Sequence, residues 1–199
     1  MEAKEDYQIN ISKIYNTKGN DISLWKCLLN EINLKDNYNH FNIISKINQC
    51  LLENLDIELT LNILDFIIDY GISYIIGFIS TDELLKNLTY LVSNKRDSDN
   101  EIKIKVLFLI KKWGTNHNLR GCHPNFNKVY NDLKSKGISF PPDNINIETY
   151  TKYISKEEIH KAEELIKNKE NGNINNGFIN NNLIQWNLVL LKLYIKILI

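Results

Sequence analysis

Cysteine is scarce in this chain, and several other features are missing altogether. Cys27, Cys50 and Cys122 are the three cysteines in 199 residues. They are odd in number, far apart and without a C-x-x-C pair, which argues against a disulfide framework or a zinc site and for a reducing compartment. Net charge is also missing: Lys+Arg and Asp+Glu are 24 each. No global field therefore draws the protein to nucleic acid, and none is expected as a partner. The opening MEAKEDYQIN has no apolar stretch of the secretory kind, so a cytoplasmic location is the expectation. Neither G-x-x-x-x-G-K nor G-x-G-x-x-G occurs. The histidines (His40, His117, His123, His160) lack a spaced Cys, Asp or second His that would make a ligand set, so no metal and no cofactor is expected. Cys122 and His123 read as chance neighbours in a loop, and no catalytic residue is assigned.

Strand signals are equally poor. No alternating run is bounded by Asn-Gly turns, and apolar spacings favour a period of 3.6, so the expected class is all-α. Asn, Ile and Lys are heavily used throughout, a compositional bias that makes surface polarity a weak guide to function.

The spacing predicts about eight helices. The first covers Tyr7 to Tyr15, the second about Ile22 to Ile32, the third about Phe41 to Leu52. A fourth, Ile57 to Tyr70, is apolar nearly all round, the mark of a helix buried among neighbours, and Gly71 is placed to end it. A short piece holds Tyr74 to Ile79. Ser80-x-x-Glu83 and Ser98-x-x-Glu101 then read as capping boxes opening the sixth and seventh helices. After the second box, Ile102, Val106, Leu109, Ile110 and Trp113 repeat at helical spacing. Pro124 announces the last helix, with Phe126, Val129, Tyr130 and Leu133 on one face and Gly137 just past its end.

Three divisions follow. Residues 1–142 form the helical domain. Residues 143–170 are a linker with an amphipathic helix after Ser155-x-x-Glu158. Residues 171–199 hold a low-complexity stretch and the apolar LIQWNLVLLKLYIKILI. That last segment is short and lysine-marked for a span of about 20 residues. It reads either as an interfacial or anchoring segment or as a product of base composition.

The central stretch, with Leu61, Leu64, Asp65, Ile75, Leu84 and Trp113, resembles a VHS domain of the ENTH/VHS superfamily, the N-terminal module of endosomal and Golgi sorting adaptors. Two further pieces are similar to it: Trp25-x-x-Leu28-Leu29-x-x-Ile32, and the closing run from Tyr130 through Leu133 and Gly137 to Phe140-Pro141. The loop before the third helix is shorter than in that family, and its basic run has shrunk to Lys46. The resemblance implies a right-handed superhelix of about eight helices. It also implies a non-enzymatic adaptor of vesicular transport, cytoplasmic and peripherally associated with endosomal or Golgi membranes.

Three ligands come with the resemblance. Ubiquitin or ubiquitinated cargo would meet Trp25, Leu29 and Asp65. The apolar arc of the second helix is about 160° wide, which leaves Trp25 and Leu29 on an expected exposed edge. Acidic-dileucine sorting-signal peptides would lie between the sixth and last helices near Lys86, Lys95, Arg96 and Lys128, although Asp132 there repels an acidic motif. Phosphoinositide lipids would meet Lys95, Arg96 and Lys103, with Lys105, Lys111 and Lys112 scattered around the same helix. A rival ligand on the same fold is the phosphorylated C-terminal tail of RNA polymerase II.

Overall fold

A computed structural model describes residues 6–93, 100–142, 158–161 and 164, and the described residues are helical with no strand. The chain divides into two compact units, Met1–Ile159 and His160–Ile199. In the second, the described residues His160, Lys161 and Glu164 are helical.

Nine helices are described in the first unit: α1 Asp6–Asn16, α2 Ile22–Asn33, α3 Asn37–Leu52, α4 Ile57–Tyr70, α5 Ser73–Ile79, α6 Asp82–Ser93, α7 Asn100–Thr115, α8 His117–Cys122 and α9 Pro124–Ser135. The all-α expectation holds. Two details differ from the sequence reading. The α3 helix starts at Asn37, four residues before Phe41, because Asp36 caps it by accepting from the backbone N–H groups of Tyr38 and Asn39. The unforeseen α8 begins where Asn116 accepts from the N–H groups of Asn118 and Leu119. Asn is a mediocre helix former but a good cap, and both facts apply here.

The capping box at Ser80 does not form. The Ser80 hydroxyl donates instead to the Gly77 carbonyl at 3.0 Å, closing the end of α5. The Thr81 carbonyl starts α6 by accepting from Leu85 N–H, and Glu83 accepts from Asn48 of α3 at 3.3 Å. Ser98 and Ser155 lie outside the described residues.

Helix ends follow glycine and its substitutes. At the end of α9, Gly137 has φ +77°; its N–H donates to Lys134 O while Ile138 N–H donates to Leu133 O. That pair of bonds is the Schellman arrangement expected of Gly137. The same closure ends α1, where Lys18 N–H meets Tyr15 O and Gly19 N–H meets Ile14 O. Here the left-handed residue before Gly19 is Lys18, φ 52°.

The core gathers around α4, which packs against α2, α3, α5 and α7. Leu61, Leu64 and Ile67 are fully buried, and so are Ile63 and Phe66. A helix enclosed on this many sides needs an apolar surface all round, as its sequence supplies. The most extensive pairing joins α7 to α9, with Trp113 edge-on to Phe126 at 5.7 Å.

Gly114 sets how closely α7 and α9 approach. A Cβ at that position would stand 2.5 Å from Tyr130 Cβ and 3.0 Å from the Phe126 carbonyl oxygen. In an exposed helix, replacing Gly by Ala gains about 1 kcal/mol. At Gly114 the sign reverses, because the added methyl meets backbone and a Cβ that have no room to yield. Gly114→Ala is expected to lower the urea-unfolding free energy, its overpacking cost of about 1–3 kcal/mol exceeding the propensity gain. A stabilised variant would show that the two helices can separate freely.

Candidate functional site

The charged and amide residues of α4 lie at positions 58, 62, 65 and 69, spaced 4, 3 and 4, so they form one stripe on a helix whose other polar groups are the hydroxyls of Thr60 and Tyr70. On the facing helix α7, Lys105 and Lys112 are seven residues apart and meet that stripe. Lys105 Nζ donates to Asn62 Oδ1 at 2.6 Å and lies 3.9 Å from Glu58 Oε1. Lys112 Nζ donates to both oxygens of Asp65, at 2.8 and 2.9 Å, and to Asp69 Oδ2 at 2.9 Å. Trp113 Nε1–H completes the set by donating to Asp65 Oδ1 at 2.9 Å.

Asp65 is fully buried, and each of its oxygens accepts at least one hydrogen bond. Burial pushes its carboxyl above the usual carboxylate range, with the Lys112 ammonium pulling the other way. Lys112 is held above its ordinary value: burial disfavours its charge, but Asp65 and Asp69 together outweigh that. The arrangement sets an ammonium against a buried carboxylate and gives each carboxylate oxygen a donor. Its chemistry is that of a lock between α4 and α7.

A second polar pair joins α5 to the junction of α8 and α9. The Ser73 hydroxyl and His123 Nε2 are 2.9 Å apart. Burial lowers the His123 pKa, which favours the neutral ring. No carboxylate among the described residues orients its other nitrogen, and Phe126 lies edge-on beside it. Among the described residues, no group of three or more His, Cys, Asp and Glu is placed to hold a metal ion.

Two of the three ubiquitin candidates, Trp25 and Leu29, are expected on an exposed edge but are buried, and Asp65 is buried as well. Trp25 is fully buried rather than on an exposed edge. Its ring stands edge-on to Phe66 at 4.9 Å, and its Nε1–H donates to the Gly19 carbonyl at 2.8 Å. Leu29 is 8% exposed. It is the side of α2 carrying Ser23, Lys26 and Asn30 that faces solvent. The apolar arc of α2 is wide, and the α4 ring of Phe66 lies across from its Trp25 edge.

The lysines divide into two groups. Lys105, Lys111 and Lys112 reach internal acceptors, Lys111 donating to the Pro141 carbonyl at 2.7 Å. Lys86 on α6, Lys103 on α7 and Lys128 on α9 are exposed and form no ion pair among the described residues. Lys95 and Arg96 lie outside the described residues. Among the described residues, no helix is long and apolar enough to cross a membrane; the apolar segment 183–199 lies outside them.

No protein-family model matches this chain, and no solved structure matches it significantly.

The lock is not among the sequence expectations, in which α4 is apolar nearly all round and Lys112 belongs with the lipid-facing lysines. The 4-3-4 polar stripe was its visible signal. Lys112→Met is expected to destabilise the fold by about 3–5 kcal/mol, since Asp65 would stay buried without its counter-charge. Lys112 binds its proton more tightly folded than unfolded, so its contribution is full at neutral pH and should fall as pH rises above the ordinary lysine value; the raised Asp65 carboxyl acts in the same sense but from the ordinary carboxylate range upward. Denaturant melts at neutral and alkaline pH check both statements; a Lys112→Met variant as stable as wild type would remove the lock. Trp25→Ala should cost about 3–5 kcal/mol, the figure for a buried aromatic truncation, and a loss under about 0.5 kcal/mol would place the indole at the surface.

Proposed function

We propose that the chain is a non-enzymatic helical adaptor of vesicle trafficking, a right-handed superhelix of the VHS type. It would meet ubiquitinated cargo or phosphoinositide membranes through its surface, at the cytoplasmic face of endosomes or the Golgi. The observation that carries this reading is the division of the lysines. Three reach internal acceptors, while Lys86, Lys103 and Lys128 stay exposed on α6, α7 and α9, helices that pack on one another. Buried polar groups such as Asp65 fasten helices together, which fits a scaffold that acts by presenting a surface.

The resemblance of the Leu61–Trp113 and Tyr130–Pro141 segments to the sorting-adaptor module supplies the ligand classes. Each lysine near an anionic membrane contributes about 1 kcal/mol, so three describe a weak contact that gains strength only in multivalent assemblies. With Trp25, Leu29 and Asp65 inside, a ubiquitin contact on α2 would run through its outward residues Ser23, Lys26 and Asn30.

Titrating the isotope-labelled full chain by NMR tests the reading. Vesicles containing phosphatidylinositol phosphate should perturb Lys86, Lys103 and Lys128, and the triple Lys→Glu variant should abolish that response. Ubiquitin should perturb Ser23, Lys26 and Asn30. Silence toward both, together with shifts from a phosphorylated polymerase-tail peptide, would replace trafficking by transcription as the setting. An acidic-dileucine peptide serves as the third probe, and its response would mark a sorting-signal reader.

A further inference from the structure

The exposed large apolar side chains are concentrated in one place. Of the seven among the described residues, Leu34, Tyr38, Phe41, Leu52 and Leu55 lie on α3 or within three residues of its ends, each between 47% and 65% exposed. Tyr38, Phe41, Ser45, Gln49 and Leu52 are all outward-facing positions of that helix. Their spacings are 3, 4, 4 and 3, so they form one stripe that reads the same in either direction about Ser45. No residue of the stripe is charged. Charge does reach its C-terminal half, where Gln49 accepts from the Lys46 ammonium at 3.2 Å and donates to the Glu53 carboxylate at 2.9 Å.

We infer that this face of α3 is a self-association surface, on which a second copy of the chain packs its own α3 antiparallel about Ser45. A two-fold interface requires a patch complementary to itself, residue i meeting j and j meeting i. The palindromic spacing satisfies that condition: Tyr38 of one copy comes opposite Leu52 of the other, Phe41 opposite Gln49, and Ser45 meets Ser45 at the axis. The small central side chain lets the two backbones approach while the bulky ends interdigitate.

Charge supports the same direction. Lys35 precedes α3 and Glu53 follows it, both exposed. Antiparallel pairing brings Lys35 of one copy towards Glu53 of the other and aligns the helix dipoles favourably. Parallel pairing would set Lys35 against Lys35 and Glu53 against Glu53.

Area sets the strength. Aromatic side chains bury about 150–250 Å² each when covered, and these are already half covered, so the stripe and its flanking leucines supply about 500 Å² per copy. Stable complexes use about 800 Å² per partner. The dimer is therefore weak and depends on concentration.

Sedimentation equilibrium of the full chain, run from about 10 μM to about 1 mM where weak interfaces fill, should show a monomer passing into a dimer. Phe41→Lys should remain monomeric over that range with an unchanged circular-dichroism melt, since Phe41 is exposed. Direction is read by crosslinking in a Cys122→Ser background, where Tyr38→Cys chains mixed with Leu52→Cys chains should form the mixed disulfide several-fold faster than either forms with itself. A monomeric mass at 1 mM, a dimer that survives Phe41→Lys, or a preference for like-with-like disulfides would each overturn the proposal. So would capture of the monomer on uncharged lipid vesicles through the same residues, which would assign the face to lipid.

Discussion

The carboxylate of Asp65 has no access to water, and the arrangement of α4 and α7 depends on that constraint. A buried charge costs several kcal/mol unless it is paired and its lone pairs are met. Lys112 and Trp113 meet them from consecutive positions of α7, which fixes both the rotation and the height of that helix against α4. Lys105, two turns earlier, repeats the contact at Asn62. Because α7 also packs on α6, α8 and α9, the orientation set at Asp65 passes to the C-terminal helices of the unit.

The aromatic pairs continue the same organisation. Trp113 donates to Asp65 through its indole nitrogen and meets Phe126 of α9 with its ring. At the next position of α4, Trp25 stands edge-on to Phe66 and donates to the Gly19 carbonyl, tying the α1–α2 turn to the centre. Each of these two tryptophans buries its apolar area and satisfies its one donor, a condition that buried indoles need. Gly19 allows this at a positive φ, where a Cβ would also strike Leu59 at 2.9 Å.

The surfaces proposed for binding both lie outside this interior. The exposed lysines of α6, α7 and α9 and the apolar stripe of α3 lie on different helices, so one molecule offers two surfaces of opposite character. On the proposed reading, a weakly self-associating module with a weak lysine-bearing face gains affinity by multiplying contacts.

The sequence by itself determined the class, the positions of most helices and several of their ends. The bounds of α4 are those its apolar run predicts, and Gly137 stops α9 by the expected bonds. These features are set by groups within four or five residues of one another, which a linear reading can see. Tertiary structure decided the rest. Ser80 carries a capping-box spacing but bonds back to Gly77, because α5 ends one residue before it and offers an acceptor first. Trp25 lies on the edge of a wide apolar arc, and only Phe66, 41 positions on, makes that edge the interior. Lys103 and Lys112 share one helix and one chemistry, yet the first faces water and the second faces Asp65. Period fixes the angle at which a side chain leaves its helix. What waits across that angle belongs to another part of the chain, and that neighbour determines whether a residue locks the fold or meets a partner.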